Sequence, residues 1–420
     1  MGVVLPRLDR EEVEDHLEEL ARLTETAGGS VVDRLVQERH SLDAAYFVGR
    51  GKAEEIAAHA RGHRADLVVF DDDLSPAQVR NLEKTIQTKI IDRSGLILDI
   101  FARRARSREA RTQVELAQLK YLLPRLTRRW THLSRQEGGI GVRGIGETQI
   151  ELDRRMIRRR IARLEVELAR IERGRTNRRT GRRGVVKGAL VGYTNSGKTT
   201  LLNALTRADA FVEDRLFATL DPLVRRLELK SARHVLLIDT VGFIRKLPHH
   251  LVASFRSTLE ETSESDFLVH VVDIGHPKYE EQMAVTQQVL AGLGMDSKPA
   301  VLVFNKIDTV TQPGILDRAR RLHPDALFLS AARSDGLEPL TDRLDELVRQ
   351  DLVERHIRLK SADSTSITRV YMRAQVLDAR YHDGYVDITF RASRASALAL
   401  DRMAEPSGPE GAWRAEETGA

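Results

Sequence analysis

Hydrophobic positions recur at two different spacings over residues 1–100, which predicts strands alternating with amphipathic helices. Residues 11–27 show the helical spacing. Ser75 followed by Pro76 predicts another helix start, because serine caps helices and proline suits the first helical position. The predicted strands cover residues 31–36, 65–70 and 89–92. This alternation predicts a small N-terminal α/β domain over 1–100.

Residues 101–183 show a longer periodicity, with apolar side chains spaced in threes and fours along two helices. The apolar positions are Leu116, Leu119, Leu123, Leu126 and Trp130, and then Ile150, Ile157, Ile161, Leu164, Leu168 and Ile171. Pro124 is predicted to interrupt the first helix, because proline lacks the N–H that a helix interior needs. The glycine-rich segment 138–146 joins the two stretches, which predicts an antiparallel helical hairpin.

The remaining chain divides into three parts by its pattern. Residues 184–350 alternate apolar strands and helices and predict a second α/β domain. Residues 351–400 predict a small α+β domain, with hairpin strands over 370–377 and 385–390 and a short helix from Ser393. Residues 401–420 are rich in proline and glycine and predict a disordered tail.

A phosphate-binding motif opens the 184–350 domain. The segment Gly192-Tyr193-Thr194-Asn195-Ser196-Gly197-Lys198-Thr199 fits G-x-x-x-x-G-K-[ST], and it lies between an apolar strand and a helix beginning at Thr200. Backbone N–H groups in such a loop surround phosphates beside a helix N-terminus. We predict that Lys198 contacts the β- and γ-phosphates and that Thr199 ligates Mg²⁺.

A second motif, Asp239-Thr240-Val241-Gly242-Phe243, follows the next apolar strand. Asp239 is placed to hold Mg²⁺, directly or through water. At Gly242 no side chain blocks the approach of a backbone N–H to the γ-phosphate. We therefore predict that this motif lines the phosphate end of the same nucleotide site.

The base is specified by Asn305-Lys306 and Asp308, which follow a third strand. The Asp308 carboxylate can accept from two adjacent guanine N–H groups, an arrangement that adenine does not offer. Such a site rejects an analogue lacking those groups by roughly 10⁴-fold or more, so GTP is preferred over ATP. Ser330-Ala331 is predicted to complete the pocket with a backbone contact to guanine O6. The predicted fold class is α/β, with a P-loop GTPase domain between the helical hairpin and the α+β domain.

Leu216-Phe217-Ala218-Thr219-Leu220-Asp221-Pro222 lies between the first two motifs. We predict that Thr219 in this loop ligates Mg²⁺ and senses the γ-phosphate, and that Phe217 and Ala218 line the site. An ordinary loop hydroxyl is the alternative for Thr219. The predicted catalytic residues are Lys198, Thr219 and Gly242.

Phe243 stands where Ras-type GTPases carry the glutamine that orients the attacking water. Phenylalanine has no hydrogen-bonding group, so we expect slow intrinsic turnover and a missing group supplied by a partner, another residue or a monovalent cation. Asn195 either coordinates K⁺ or only shapes the loop. His249 and His250 fit solvated loop positions better than catalytic bases.

Charge is unevenly distributed along the chain, although the formal net charge is only +5. Arginines are concentrated in residues 154–183 and 103–129, which indicates either a nucleic-acid-binding surface or a solvated helix face.

The chain has no cysteine, which excludes disulfides and thiol catalysis. The sequence has no signal peptide or membrane-spanning run, so we expect a cytoplasmic protein. Gly49 to Lys52 is either a second phosphate site or a plain helix-opening turn.

Together, these segments resemble the HflX-type ribosome-associated GTPases over nearly the whole chain. The most distinctive segment is Gly-Gly-Ile-Gly-Val-Arg-Gly-Ile-Gly-Glu-Thr-Gln-Ile-Glu-Leu-Asp over 138–153, and 216–222 and 239–243 are similar to the switch segments of that family. The resemblance implies binding to the large ribosomal subunit and its RNA, ribosome-stimulated hydrolysis of GTP to GDP, and splitting of stalled ribosomes under stress. Some relatives also hydrolyse ATP. We expect a monomer.

Two other classes of function fit the same motifs. One is a GTP-dependent ribosome-assembly or RNA-modification factor. The other is a nucleotide-gated binder, in which Phe243 leaves turnover negligible and GTP acts only as a switch.

Overall fold

The computed structural model describes residues 1–6, 8–126, 149–179, 186–207, 215–218, 220–231, 234–246, 262–263, 265–350 and 352–403. Within these ranges the chain forms a mixed N-terminal region, a pair of long helices, a six-stranded sheet domain and a small antiparallel domain. No helix in the described ranges is long and apolar enough to cross a membrane.

Two separate pairs of parallel strands organise the N-terminal region, β1 with β2 and β3 with β4. Its elements are β1 (Gly2–Val4), α1 (Arg10–Thr26), β2 (Val36–Glu38), α2 (Arg50–Gly62), β3 (Leu67–Phe70), α3 (Pro76–Ile86), β4 (Lys89–Asp92) and α4 (Arg93–Arg104). The Ser75 side chain accepts from the Gln78 backbone N–H, and the Gln78 side chain accepts from the Ser75 backbone N–H. This capping box starts α3 at the predicted proline.

The predicted strand over 31–36 is wrong for residues 31–35, because β2 begins only at Val36. Val31 and Val32 are exposed, and β2 pairs with the three residues of β1 and no more. Asp92 at the end of β4 caps α4 by accepting from the Gly95 N–H. It also receives Arg125 at 2.9 Å, which ties the N-terminal region to the next helix.

Helices α5 (Arg108–Leu122) and α6 (Gln149–Arg179) pack side by side. Arg108 pairs with Glu167 at 2.7 Å and Arg160 with Glu115 at 2.7 Å, so the chain directions are opposite. Helix α5 stops before Pro124, which sits in a 3₁₀ turn, as predicted. The connection over 127–148 lies outside the described residues, and so does the glycine-rich segment 138–146. The hairpin itself therefore stays a prediction.

The predicted α/β GTPase-type domain is confirmed by a sheet in the order β10-β9-β8-β5-β7-β6, parallel except for β6. Its elements are β5 (Lys187–Val191), α7 (Lys198–Thr206), β6 (Leu223–Glu228), β7 (His234–Asp239), β8 (Phe267–Asp273), α8 (Tyr279–Gly292), β9 (Ala300–Asn305), α9 (Ile315–Leu322), β10 (Leu327–Phe328) and α10 (Leu337–Gln350). The carboxyl ends of β5, β7, β8 and β9 meet at one edge, where ligands bind in open α/β sheets.

The C-terminal domain is a three-stranded antiparallel sheet with two helices. Its elements are β11 (Leu352–Lys360), α11 (Ser364–Arg373), β12 (Gln375–His382), β13 (Tyr385–Ser393) and α12 (Arg394–Asp401). The predicted hairpin of β12 and β13 is present, but residues 370–373 are helical rather than extended. Asp363 caps α11 by accepting from the Ser366 N–H at 3.0 Å, and the helix buries Val370. Residues 404–420, most of the predicted tail, lie outside the described part of the chain.

Candidate nucleotide-binding site

The loop between β5 and α7 adopts a conformation that only glycine permits at two positions. Gly192 has φ +150° and Gly197 has φ +89°. A Cβ atom at Gly192 would lie 2.1 Å from the Val271 carbonyl oxygen, and one at Gly197 would lie 2.3 Å from Asn305 Nδ2. The motif therefore packs against the ends of β8 and β9, with its helix N-terminus facing the sheet edge.

Lys198 is buried at the start of α7. Its Nζ donates to the carbonyls of Gly192 at 3.2 Å and Tyr193 at 2.8 Å. Burial, offset in part by the Asp239 carboxylate, lowers the pKa of Lys198 to about 8. A phosphate in this loop would supply the negative charge that the buried ammonium lacks.

The predicted magnesium ligands Thr199 and Asp239 meet at the end of β7. The Thr199 hydroxyl donates to Asp239 Oδ2 at 2.6 Å. Thr240 instead donates to the Leu190 carbonyl at 2.6 Å, which fixes the strand end beside the loop. A hydroxyl and a carboxylate brought together next to a phosphate loop are the oxygen donors that Mg²⁺ prefers, so the residues present fit this ion.

The predicted base-specific motif is organised by the side chain of Asn305. Its Nδ2 donates to the Ser196 carbonyl at 2.9 Å, and its Oδ1 accepts from the Ala331 N–H at 3.0 Å. One side chain thus holds the phosphate loop and the Ser330-Ala331 segment together. Lys306 pairs with Asp273 at 2.8 Å.

Asp308 has the chemistry that the guanine prediction requires. Its Oδ1 is buried and makes no hydrogen bond to any residue the structure describes. A hydrogen bond from Ser330, with Arg333 nearby, holds the pKa of Asp308 below its usual range, so the carboxylate is ionised at neutral pH. An ionised carboxylate with one buried oxygen left without a hydrogen-bond partner among the described residues suits the N–H groups of guanine.

Gly242 touches the phosphate loop too closely for any side chain. A Cβ atom there would lie 2.5 Å from the Thr194 Cα. The next residue bridges the two motifs by its backbone: the Phe243 N–H donates to the Gly192 carbonyl at 3.1 Å, and its carbonyl accepts from the Thr194 N–H at 2.7 Å. The Phe243 ring is 2% exposed and packs in the sheet core with Ala189 and other apolar residues.

Phe217 is anchored rather than exposed in the loop that contains the predicted sensor. Its N–H donates to Thr194 Oγ1 at 2.8 Å, and its ring meets Phe101 of α4 edge-on at 4.8 Å. Thr219 lies outside the described residues, as do His249 and His250, so their predicted roles stay predictions.

Asp221, which the sequence did not single out, connects the same loop to α5. Its carboxylate accepts from the backbone N–H of Arg106 at 2.8 Å and from that of Ser107, the residue that caps α5.

One cavity gathers ten of the predicted residues, all from the phosphate loop, the loop after Arg215 and the Asp239–Phe243 motif. It is lined by Thr194, Asn195, Gly197, Lys198, Thr199, Thr200, Phe217, Ala218, Thr240 and Gly242, together with Arg215, which the sequence analysis did not assign. Asn195 has φ +62°, a conformation that asparagine tolerates well. Val241 packs against the apolar cluster that contains Phe217 and Phe101.

The N-terminal region contacts the phosphate loop through the side chain of Tyr193. The Tyr193 hydroxyl accepts from the Arg245 N–H at 2.9 Å and donates to the Glu19 carboxylate of α1. Arg93, 1% exposed, contacts both Glu19 and Asp71, the latter at 2.6 Å.

Lys246 closes this network by pairing with Asp71 at 2.6 Å and Asp72 at 2.5 Å. The segment following Gly242 is therefore tied to the N-terminal region by ion pairs as well as through Tyr193. No local pattern indicates these contacts, because they depend on how two regions distant in sequence pack together.

Comparison with known proteins matches three family models in chain order. They are a GTP-binding GTPase N-terminal region over 14–102, a GTP-binding GTPase middle region over 104–182, and a 50S ribosome-binding GTPase over 187–306. GTPase HflX of Flavobacterium psychrophilum is 44% identical over 376 residues, covering 84% of this chain and 91% of the relative. GTPase HflX of Escherichia coli K12 is 42% identical over 386 residues, covering 90% and 89%.

The chain belongs to the HflX family of GTPases. It is therefore a GTP-binding P-loop hydrolase, as the motifs predicted. A crystal structure of a GTP-binding protein from Sulfolobus solfataricus in complex with GDP is 26% identical, with a TM-score of 0.43, and the match covers 83% of this chain and 99% of that one. The assignment to the family depends on the sequence relatives rather than on that structure.

Proposed function

We propose that this GTPase binds the large ribosomal subunit and splits stalled or idle ribosomes under stress, as a monomeric cytoplasmic protein whose hydrolysis the ribosome stimulates. The observation that carries the proposal is the arginine-covered face of α6. Arg158, Arg159, Arg163 and Arg170 are exposed, and none forms an ion pair with a residue that the structure describes. Arginine grips phosphates in a bidentate manner, so this face suits an RNA backbone.

In the proposed site, the loop from Gly192 to Thr199 cradles the phosphates of GTP, and Asp308 selects guanine. Lys198 neutralises the β- and γ-phosphates. Thr199, Thr219 and Asp239 would hold Mg²⁺, which supplies further positive charge at the phosphates when bound. Asn305, Ser330 and Ala331 shape the base pocket around Asp308.

The environment of Phe243 supports a catalytic group that comes from another position than this one. Its ring is buried in the sheet core, so the position that orients water in Ras-type enzymes holds no polar group here. A catalytic group must then come from the ribosome, from elsewhere in the chain or from a monovalent cation. Asn195 is our candidate for coordinating K⁺.

We propose the following order of events. GTP orders the Thr219 and Gly242 segments, and through Tyr193 and Phe217 it fixes the N-terminal region and the α5–α6 pair in a ribosome-binding arrangement. Binding of that form opposes subunit association, and hydrolysis then releases the protein. Splitting therefore needs GTP binding but not hydrolysis, whereas release needs hydrolysis.

The first experiment measures GTP turnover with and without purified large ribosomal subunits, using Lys198→Ala as the inactive control. A catalytic element supplied in trans is worth about 10³-fold or more, so stimulation of that size is expected. No stimulation would refute ribosome activation.

Repeating the turnover assay in K⁺ and in Na⁺, with wild type and Asn195→Ala, tests whether Asn195 coordinates a monovalent cation. Faster turnover in K⁺ that is lost in the variant supports this role, and equal rates in the two salts refute it.

A second experiment tests the arginine face directly. Arg158→Gln, Arg159→Gln and Arg163→Gln together should weaken binding to the large subunit and flatten its salt dependence, because fewer counterions are released. The matched control replaces Arg318, Arg320 and Arg321 on α9 by glutamine, and should bind like wild type. Equal affinity of both triple variants would argue against RNA contact by α6.

The order of events is tested by following the splitting of 70S ribosomes in sedimentation experiments with a non-hydrolysable GTP analogue. Splitting should persist with the analogue.

A further inference from the structure

A cluster of metal-ligating side chains lies on the N-terminal region, away from the nucleotide site. His59 lies in the last turn of α2, and His63 follows the end of the helix. The two are four residues apart, so their imidazoles lie on one face of α2, with ring centroids 6.4 Å apart. Asp33, in the segment between α1 and β2, faces both rings. One ligand atom from each residue lies within 4.8 Å of the others.

Among the three side chains, only His59 and Asp33 are joined by a direct hydrogen bond. His59 Nδ1 lies 2.8 Å from Asp33 Oδ2, a normal hydrogen bond. His63 Nε2 is 3.9 Å from the same oxygen, too far for one. The helix spacing places His63 beside this pair, and an ion shared by all three side chains would use the ring nitrogen that the direct His59–Asp33 bond leaves over.

We propose that Asp33, His59 and His63 form a binding site for a divalent transition-metal ion, with Zn²⁺ as the reference ion. Two imidazoles and one carboxylate favour Zn²⁺, Ni²⁺, Cu²⁺ or Co²⁺ over Mg²⁺ and Ca²⁺, which take oxygen ligands. Ligand atoms about 2.0–2.2 Å from a tetrahedral ion lie roughly 3.3–3.6 Å apart. The observed separations of 2.8 and 3.9 Å lie on either side of that spacing.

Small rotations of exposed side chains are enough to reach this geometry. The side chains of His59, His63 and Asp33 are 42%, 49% and 34% exposed, so no core residue has to move. The end of α2 also favours a cation, because the carbonyl end of a helix carries partial negative charge.

The three residues border a cavity of about 630 Å³ between α1, α2 and β3. Three protein ligands would leave at least one coordination position of a tetrahedral ion to water, and the cavity beside the three residues is large enough to hold water. An ion held here would cross-link the segment that contains Asp33, between α1 and β2, to α2. Binding should therefore order residues 29–35 as well as add a charge.

The test uses the full-length, metal-free, untagged protein without nucleotide, with Zn²⁺ as the probe. We expect one tightly bound Zn²⁺ per chain by titration calorimetry and elemental analysis. Replacement by Co²⁺ should give visible absorption bands typical of nitrogen and oxygen ligands. His63→Gln keeps the His59–Asp33 hydrogen bond but removes a ligand, so Zn²⁺ affinity should fall about 10-fold or more. The matched control is His40→Gln, an exposed histidine of the same region, which should leave affinity unchanged.

Hydrogen exchange provides a second measurement that does not depend on activity. Zn²⁺ should slow exchange over residues 29–35 in wild type and in His40→Gln, but not in His63→Gln or Asp33→Asn. The proposal is overturned if the protein binds no Zn²⁺ at tens of micromolar. It is also overturned if His63→Gln binds the ion as tightly as wild type does, which would place the ion elsewhere.

Discussion

Removing one hydroxyl, in Tyr193→Phe, should loosen the contact between the N-terminal region and the segment after Gly242. The substitution keeps the buried ring and removes two hydrogen bonds, from the Arg245 N–H at 2.9 Å and to the Glu19 carboxylate. A neutral hydrogen bond is worth about 1 kcal/mol and one to a charged group about 1.5 kcal/mol. The sum, about 2.5 kcal/mol, corresponds to a roughly 50- to 100-fold increase in local opening.

Hydrogen exchange followed by mass spectrometry measures this opening, because the Arg245 amide is itself one of the donors. A peptide covering residues 243–246 should exchange faster in Tyr193→Phe by about that factor if opening is fast relative to exchange. Tyr279→Phe is the matched control, since among the residues that the structure describes its hydroxyl hydrogen-bonds only to the neighbouring Glu280, at 3.2 Å.

Glu19→Gln should reproduce part of the effect, and the double variant should show less than the sum of both, because the two side chains share one hydrogen bond. A change of less than about threefold in Tyr193→Phe would refute the view that this hydroxyl holds the contact.

Three further predictions concern the site itself. Burial lowers the pKa of Lys198 to about 8 from its ordinary 10.5, so GTP affinity should fall as the pH rises above 8 and the side chain loses its charge. In the nucleotide-free protein, the contribution of Lys198 to the free energy of unfolding should instead rise between pH 8 and 10.5, because the unfolded chain holds the extra proton in that range. Calorimetry from pH 7 to 9.5, with Lys198→Arg as control, checks this; a flat affinity profile would contradict it. Gly242→Ala should reduce turnover at least about 10-fold, since its Cβ would lie 2.5 Å from the Thr194 Cα, and unchanged single-turnover rates would exclude that clash. Phe243→Ala should lower the thermal stability of the sheet domain, by about 3–5 kcal/mol in free energy, because its ring is buried, and an unchanged melting temperature would count against this packing.

Sequence motifs predicted the local backbone arrangement at the candidate nucleotide site, because each motif carries its own geometry; the ligand contacts of the individual residues stay predictions. The phosphate loop follows β5 and opens α7. Asp239 ends β7, Asn305 ends β9 and Asp308 follows it, all at the same sheet edge. A strand–loop–helix pattern specifies such positions because the backbone conformation and the chemistry come from neighbouring residues.

Contacts between regions were not predictable in the same way. Glu19, Asp71 and Arg93 look like ordinary charged residues in their own segments, and their role depends on where Tyr193 and Lys246 come to lie. The errors at 31–35 and 370–373 have separate causes. Residues 31–35 lie outside the pairing of β2 with β1, which begins at Val36, and residues 370–373 complete the helix that Asp363 caps.

The burial of Phe217 has a consequence for how this protein can be divided. Leu216, Phe217 and Ile244 belong to the same apolar cluster as Leu98 and Phe101 of α4, so the loops around the nucleotide share a core with the N-terminal region. A fragment starting at Val186 would expose those three side chains, at a cost of about 1.5–3 kcal/mol each where burial is complete. The GTPase domain is thus continuous in sequence, but the N-terminal region completes part of its apolar core. The activity of the full chain therefore cannot be assigned to an isolated GTPase domain.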